Sequence, residues 1–300
     1  MERPVPADSA VARKPRGRVG KALSPYLLAL PGGLWLIILF VVPLVAMLSL
    51  ALQTGDVLHG YSLTWNWSEI PNQLKEHHTE FIRSAWYAGV ATFICLIVSF
   101  PVAYWIAFYG GRRKNFFLLM LLLPFFVSFV IRSLAWQFIL SDQGIVLGPL
   151  KTIGLLPQNF HILATSTAVI AGIAYNYLPF TALPLYVSLE RIDRRIVEAA
   201  GDLYASRRAA FMRVVFPLTI PGIFAAFLLT FVPAMGDYLN QQILGGTQNT
   251  MIGTIIQNDF LINQDYPAAS ALSAILLAFV LIGIFAYSRV LGARTIEEYI

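Results

Sequence analysis

Apolar residues run in six long blocks, separated by stretches rich in Lys, Arg, Gly and Pro. The blocks are Tyr26–Leu52, Ser84–Tyr109, Phe116–Leu140, Ile162–Leu189, Phe216–Met235 and Ala268–Leu291. Each approaches or exceeds the roughly 20 residues that a helix needs to cross a hydrocarbon core of about 30 Å. The pattern therefore predicts six transmembrane helices in an all-α integral membrane protein. Pro101, Pro124, Pro179 and Pro184 interrupt the second to fourth blocks. Spanning helices tolerate such breaks where neighbours or water re-satisfy the freed backbone groups, so these prolines are expected to kink the spans. The first block is too long for a signal-peptide core of about 7–15 residues, so it is expected to remain as a span. Residues 1–22 mix Pro, Arg, Ala and Ser without an apolar period and predict a disordered basic tail. Residues 23–300 then form the membrane domain.

Composition supports this class. Hydrophobic residues make up 57% of the chain and charged residues only 12%, with a mean hydropathy of +0.67. Soluble domains carry about 25% charged residues, so this chain lacks the polar surface of a soluble enzyme, a free nucleic-acid-binding domain or a disordered scaffold. The net charge of +5 does not point to nucleic acid, because the basic residues sit between apolar blocks. All 21 Lys and Arg residues except Lys75, Arg83, Arg132 and Lys151 fall in the N-terminal tail, the second and fourth loops and the C-terminal tail. The positive-inside rule then makes both termini cytoplasmic. The opposite loops carry Asp56, Glu69, Glu76, Glu80, Asp142, Asp237, Asp259 and Asp265, an acidic face that concentrates cations. Cys95 is the single cysteine and lies in an apolar block, where it is expected as a small buried thiol.

The fourth loop, SLERIDRRIVEAAGDLYASRRAAFMRVVFPLTIPGI from Ser188 to Ile223, is longer than a connector needs to be. Leu189, Ile192, Ile196 and Ala199/Ala200 recur at helical spacing, with Glu190, Arg191, Arg194 and Arg195 on other faces. A second short helix is expected after Gly201–Asp202, before Pro217 marks the start of the fifth span. Amphipathic helices exposed to the cytoplasm need a protein partner.

Glu198-Ala199-Ala200, a glycine-containing turn and a basic stretch ending at Pro217 resemble the EAA loop of ABC importer permeases. The family pattern has three free positions and then Gly after EAA. That position here is Tyr204, while Gly201 follows EAA directly. The turn is thus expected either at Gly201-Asp202 or at Tyr204. Leu121–Val146, Gly236–Gly246, MIGTIIQNDF and YPAASALS further resemble the spermidine/putrescine-type branch. The resemblance spans roughly residues 25–290. It implies a type I ABC importer permease (MetI-like) fold, with the transport core at about 80–291 and a cytoplasmic coupling loop at about 188–215. It also implies a bacterial inner-membrane location. The partners it implies are a second homologous permease, two cytoplasmic ATPase subunits and an extracytoplasmic solute-binding protein.

No GxxxxGK[ST] phosphate loop occurs, so ATP and Mg would be bound by the partner ATPase, and the chain itself is expected to need no cofactor and no metal. His59, His77, His78 and His161 fall in loops without metal-ligand spacing, and no nucleophile–base constellation can be assigned. The ATPase-coupling candidates are Glu198, Ala199, Ala200, Gly201, Asp202, Tyr204 and Arg207. Glu198 is expected to dock on an ATPase Lys or Arg, the alternative being an intrahelical pair with Arg194 or Arg195. Asp237 and Tyr238, with Trp136 and Tyr177 as helpers, are the candidate path for a polycation, through charge pairing and cation–π contact. Arg132 lies within a span, where an arginine costs ~2.5–3.5 kcal/mol. It is expected to gate or to form a structural ion pair, with Asp142, Asp237 or a carboxylate of the sister subunit. The rival functions are an ABC permease for ferric iron, an anion or an opine-like amino acid, a secondary transporter or channel without an ATPase, and a membrane-embedded enzyme, for which no reactive set is present.

Overall fold

A computed structural model describes residues 30–203 and 206–297, so the basic tail and Tyr204 lie outside the described residues. The chain divides into two compact units, residues 1–49 and 50–300. In the first, helix α1 (Leu30–Leu50) is apolar throughout and contains a π turn at Ile37–Val41.

The second unit opens with an antiparallel hairpin, β1 (Gln53–Asp56) and β2 (Gly60–Leu63), with Gln53 opposite Leu63. This is a small departure from the all-helical expectation. The hairpin tip is fixed by Asp56, whose Oδ1 accepts the Leu58 and His59 N–H groups at 3.0 and 2.7 Å. Gly60 supplies the left-handed residue the turn requires (φ +81°). Helices α2 (Glu69–Glu76) and α3 (His78–Tyr109) follow.

Helix α3 packs against α7 (Ser166–Glu190) and α10 (Phe216–Met235), and these three helices form the body of the unit. Their close approach rests on small side chains. Ala88, Ala91, Cys95 and Ala103 on α3 are fully buried. On α10, a Cβ at Gly222 would lie 2.2 Å from Ser188 Cβ. Small interfaces of this kind let helices associate in lipid, where no hydrophobic force drives them together. Cys95 donates its thiol to the Ala174 carbonyl (3.1 Å). Pro101, Pro179 and Pro184 lie inside unbroken helices.

The third apolar block differs from the expected kinked span. It folds as α4 (Lys114–Leu122) with a 3-10 turn at Leu123–Phe126, then α5 (Phe129–Leu140), with the two parts bent by 86°. Pro124 tightens the end of the first part, and Val127 and Ser128 take extended ψ angles of 138° and 137°, which no helix continues through. Among the described residues, five helices are long and apolar enough to cross a membrane, and the bent pair makes up to six. A short α6 (Leu147–Thr152) links α5 to α7.

The fourth loop is helical, but its turn is not where Gly201 suggested. Helix α8 (Arg194–Leu203) runs through Gly201 and Asp202, so no turn falls at those two residues. Helix α9 (Arg207–Ala210) then continues through a π turn at Phe211–Val215 directly into α10. The chain ends with α11 (Ile252–Leu261) and α12 (Tyr266–Glu297), which pack on each other.

Candidate functional site

A buried polar network joins α5, α7 and the segment that follows α10. Asp237, expected in an exposed acidic loop, is instead only 5% exposed. Taking a carboxylate out of water costs several kcal/mol, and the chain offsets this locally. Asn240 donates its backbone N–H to Asp237 Oδ1 (3.0 Å) and its Nδ2 to Oδ2 (2.6 Å). The Asn240 Oδ1 in turn accepts Asn176 Nδ2 (2.9 Å) and the Ser133 hydroxyl (3.1 Å). Asn176 Nδ2 also reaches Ser133 Oγ (3.1 Å). Asn176, Asn240 and Ser133 are fully buried. The close approach depends on Gly172, where a Cβ would lie 3.0 Å from Asn240 Oδ1 and 2.4 Å from Leu244 Cδ1.

Tyr177 is buried beside the network, and its hydroxyl donates a long bond to the Pro233 carbonyl (3.5 Å). Tyr238 is partly exposed and lines a cavity of about 530 Å³ between α10, α11 and α12, with Gly236, Gln257 and Ser273. Trp136 does not join this group. Its ring packs edge-on to Tyr175 (5.4 Å between centroids), and it lines a separate cavity of about 280 Å³ with Arg132. Two polar atoms around the network have no partner, Asn176 Oδ1 and Arg132 Nε.

Arg132 is 6% exposed and forms neither of the ion pairs expected within this chain. Asp142 is engaged by Lys151 Nζ (2.9 Å) and His161 Nδ1 (2.6 Å), and Asp237 by Asn240. The guanidinium instead lies 5.8 and 5.6 Å from the ring centroids of Phe125 and Phe129, and Nη1 donates a long bond to the Asn176 carbonyl (3.4 Å).

At the other end of α7 the coupling candidates lie on α8. Each residue turns about 100° about a helix axis, which gives α8 three faces. Val197 packs against the apolar core built from Ile106, Leu185, Leu189 and Val215, and Ala200, on the same face, is buried. Arg194 extends that contact by donating to the Ala107 carbonyl (3.3 Å). Ile196, Ala199 and Leu203 form an exposed apolar stripe, flanked by exposed Arg195, Glu198 and Asp202. Glu198 pairs with neither Arg194 nor Arg195 among the described residues. The Arg207 backbone begins α9. The link back to α7 is short and tied down, with Glu190 paired to Lys114 and Ile192 N–H bonded to the Leu189 carbonyl (3.3 Å).

The sequence reading missed Asn176, Asn240 and Ser133. Asn176 did leave a signal, as a primary amide at the centre of an apolar block, where a polar group must find a partner.

Comparison with known proteins places this geometry. Residues 99–295 match the family described as "Binding-protein-dependent transport system inner membrane component". The chain is 34% identical over 256 residues to the spermidine/putrescine transport system permease protein PotB of Haemophilus influenzae, covering 85% of this chain and 90% of the relative. It is 31% identical over 264 residues to PotB of Escherichia coli K12, covering 87% and 96%. Among solved structures, it superposes with TM-score 0.62 on a chain of a bacterial ABC transporter that imports the polysaccharide alginate. That match is 20% identical and covers 91% of this chain and 99% of the other, a likeness of fold.

Proposed function

The chain belongs to the binding-protein-dependent transport system inner membrane components, and from that premise we propose that it forms half of the translocation path of an ATP-driven polyamine importer. The relatives named as spermidine/putrescine permeases support the solute class, and they match along nearly their whole length. The site chemistry agrees with it. An ammonium group needs acceptors, and the Asp237 carboxylate lies in one network with Asn176 Oδ1, a buried acceptor lacking a donor. Tyr177 is buried near the carboxylate, and Tyr238, next to Asp237 in the chain, lines the neighbouring cavity, so both rings could offer aromatic faces to a cation. Binding there must stay weak, because a permeant held tightly does not leave. Trp136 shares its cavity with the Arg132 cation, so in this conformation it stands apart from such a path.

The single observation that carries the coupling reading is α8, one face of which is packed on the body while an adjoining face, about 100° round the helix, is apolar and exposed among the described residues. We infer that two cytoplasmic ATPase subunits drive the importer and that this face docks on one of them, Glu198 meeting a Lys or Arg there. ATP-driven closure would pull α8, and the short link at Arg191–Asp193 would pass the motion to α7. Asn176 and Tyr177 are on that same helix, so a rigid-body tilt of α7 moves one wall of the Asp237 site. A second permease would complete the path, and the extracytoplasmic binding protein would deliver solute from the opposite side. Counting the bent pair as one crossing would give six, with both termini on one side, and the Lys and Arg distribution supports the cytoplasm as that side.

The test is uptake of radiolabelled spermidine and putrescine by proteoliposomes containing the chain with its neighbouring permease, ATPase and binding protein. ATP-dependent uptake that Asp237→Asn reduces at least tenfold supports the reading. Uptake of sulfate or ferric iron but no polyamine would overturn the solute class, and uptake without ATP would overturn the coupling.

A further inference from the structure

Arg132 presents a problem that nothing among the described residues solves. The side chain is only 6% exposed, yet the one hydrogen bond its guanidinium makes among the described residues, from Nη1, is 3.4 Å long. Nε has none. The two phenylalanine faces supply cation–π attraction, but no negative charge. The adjoining cavity of about 280 Å³ is walled by Pro124, Val127, Ile131, Ala135, Trp136 and Tyr175, without an acidic residue. Both carboxylates expected to reach it are held elsewhere. A buried cation left in this state is strongly unfavourable, so the site calls for an anion.

The surroundings narrow what that anion is. Around the cavity α5 and the preceding turn expose Phe126, Ile131 and Phe138. This apolar face suits lipid or another protein surface, and hydrocarbon offers a guanidinium no acceptor. Depth excludes a lipid headgroup. The Arg132 guanidinium reaches the carbonyl of Asn176, which lies ten residues from the start of α7 and fourteen from its end. At 1.5 Å per residue, that is about 15 and 21 Å from either end of a spanning helix. Phosphates at the membrane surface do not reach a group at that level.

We propose that the Arg132 cavity receives an Asp or Glu side chain of the second permease subunit, which pairs with the guanidinium at the level of the bilayer centre. The pair fixes how the two permeases meet at the 86° elbow between α4 and α5, and it removes an uncompensated cation from beside a path for cations. This rests on the two-permease assembly inferred above, and the experiment separates the two claims.

The complex is purified in nanodiscs through a tag on this chain, as wild type, Arg132→Met and Arg132→Lys, and the second permease retained and the thermal midpoint of the complex are measured. Arg132→Met keeps the bulk but leaves the facing carboxylate buried and unpaired. It should lower the retained second permease at least fivefold, while Arg132→Lys, which keeps the charge, should retain an intermediate amount. Neutralising each Asp and Glu within the spans of the second permease in the Arg132→Met background should restore retention at one position, which also shows that the methionine variant folds. If Arg132→Met leaves the complex intact or more stable, the charge has no carboxylate partner and the proposal fails. It fails equally if native mass spectrometry shows a bound phospholipid that Arg132→Met alone removes while the second permease stays. A wild-type chain that retains no second permease overturns the assembly reading itself.

Discussion

Asn240 satisfies both oxygens of the Asp237 carboxylate, its backbone N–H on Oδ1 and its side-chain amide on Oδ2, just beyond the end of α10. The same Asn240 side chain binds Asn176 and Ser133, so the carboxylate is positioned by α5 and α7 as well as by its own segment. Removing that link has a defined cost. Asn240→Ala deletes a hydrogen bond to a charged group and is expected to lower stability by about 1.5–3 kcal/mol. Thermal unfolding of the purified chain in detergent checks this. Asp237→Asn removes the charge but turns an amide NH2 toward one of the two Asn240 donors, so it should cost some stability as well as most uptake, and uptake is compared at equal amounts of folded chain.

The junction between α10 and α11 depends on a glycine at a close backbone approach. A Cβ on Gly253 would lie 2.2 Å from the Gly236 carbonyl oxygen, and backbone cannot swing aside as a side chain does. Gly253→Ala should therefore destabilise the chain by about 1–3 kcal/mol. Gly283 on α12 has open space at the same position, so Gly283→Ala should be neutral or slightly stabilising. Equal midpoints for the two variants would contradict this account of the packing.

Much of this arrangement was legible in the residue pattern, and the parts that were not share a cause. Block Phe216–Met235 coincides with α10 because a long apolar run between polar segments leaves a helix little choice of ends. Asp237, Tyr177 and Arg132 stood out because charge and aromatic hydroxyls are conspicuous among leucines. Where their partners lie was hidden, since Asn240 and Ser133 acquire roles only when α5, α7 and the post-α10 segment converge. Proline spacing could not distinguish a kink from a break. Pro179 stays inside a helix, while Pro124 precedes two extended residues. Gly201 illustrates the converse. Glycine suggests a turn, but Val197 and Ala200 bury one face of α8 and hold the helix through it.

The loop after α5 predicts a pH effect of known sign. Lys151, which is 7% exposed, donates to Asp142 and to the Gln158 carbonyl (3.2 Å), closing residues 142–158 on themselves. The Lys151 hydrogen bond, aided by His161, holds the Asp142 carboxyl below its ordinary value of 3.8. A depressed folded value means that this contribution is complete above the ordinary carboxylate range and is lost as pH falls through the folded value. Hydrogen exchange of residues 143–161 should thus stay slow down to about pH 4 in the wild type. In Lys151→Met it should be faster at neutral pH, and the difference should shrink as the medium is acidified below that point.

On α8 the apolar stripe and the acid beside it make separable predictions. Leu203 is 80% exposed and Ile196 49%, so placing a charge on either should leave the fold intact while spoiling an apolar contact with an ATPase. Ile196→Asp and Leu203→Asp are expected to reduce ATPase retained in pull-downs at least tenfold, equivalent to about 1.4 kcal/mol. Glu198→Ala would remove the proposed charge-assisted bond without disturbing the stripe, so the ATPase should still bind while hydrolysis no longer tracks uptake. Measuring ATP consumed per solute imported distinguishes these effects. Unchanged stoichiometry in Glu198→Ala, together with full ATPase retention in both aspartate variants, would mean that α8 is not the docking helix.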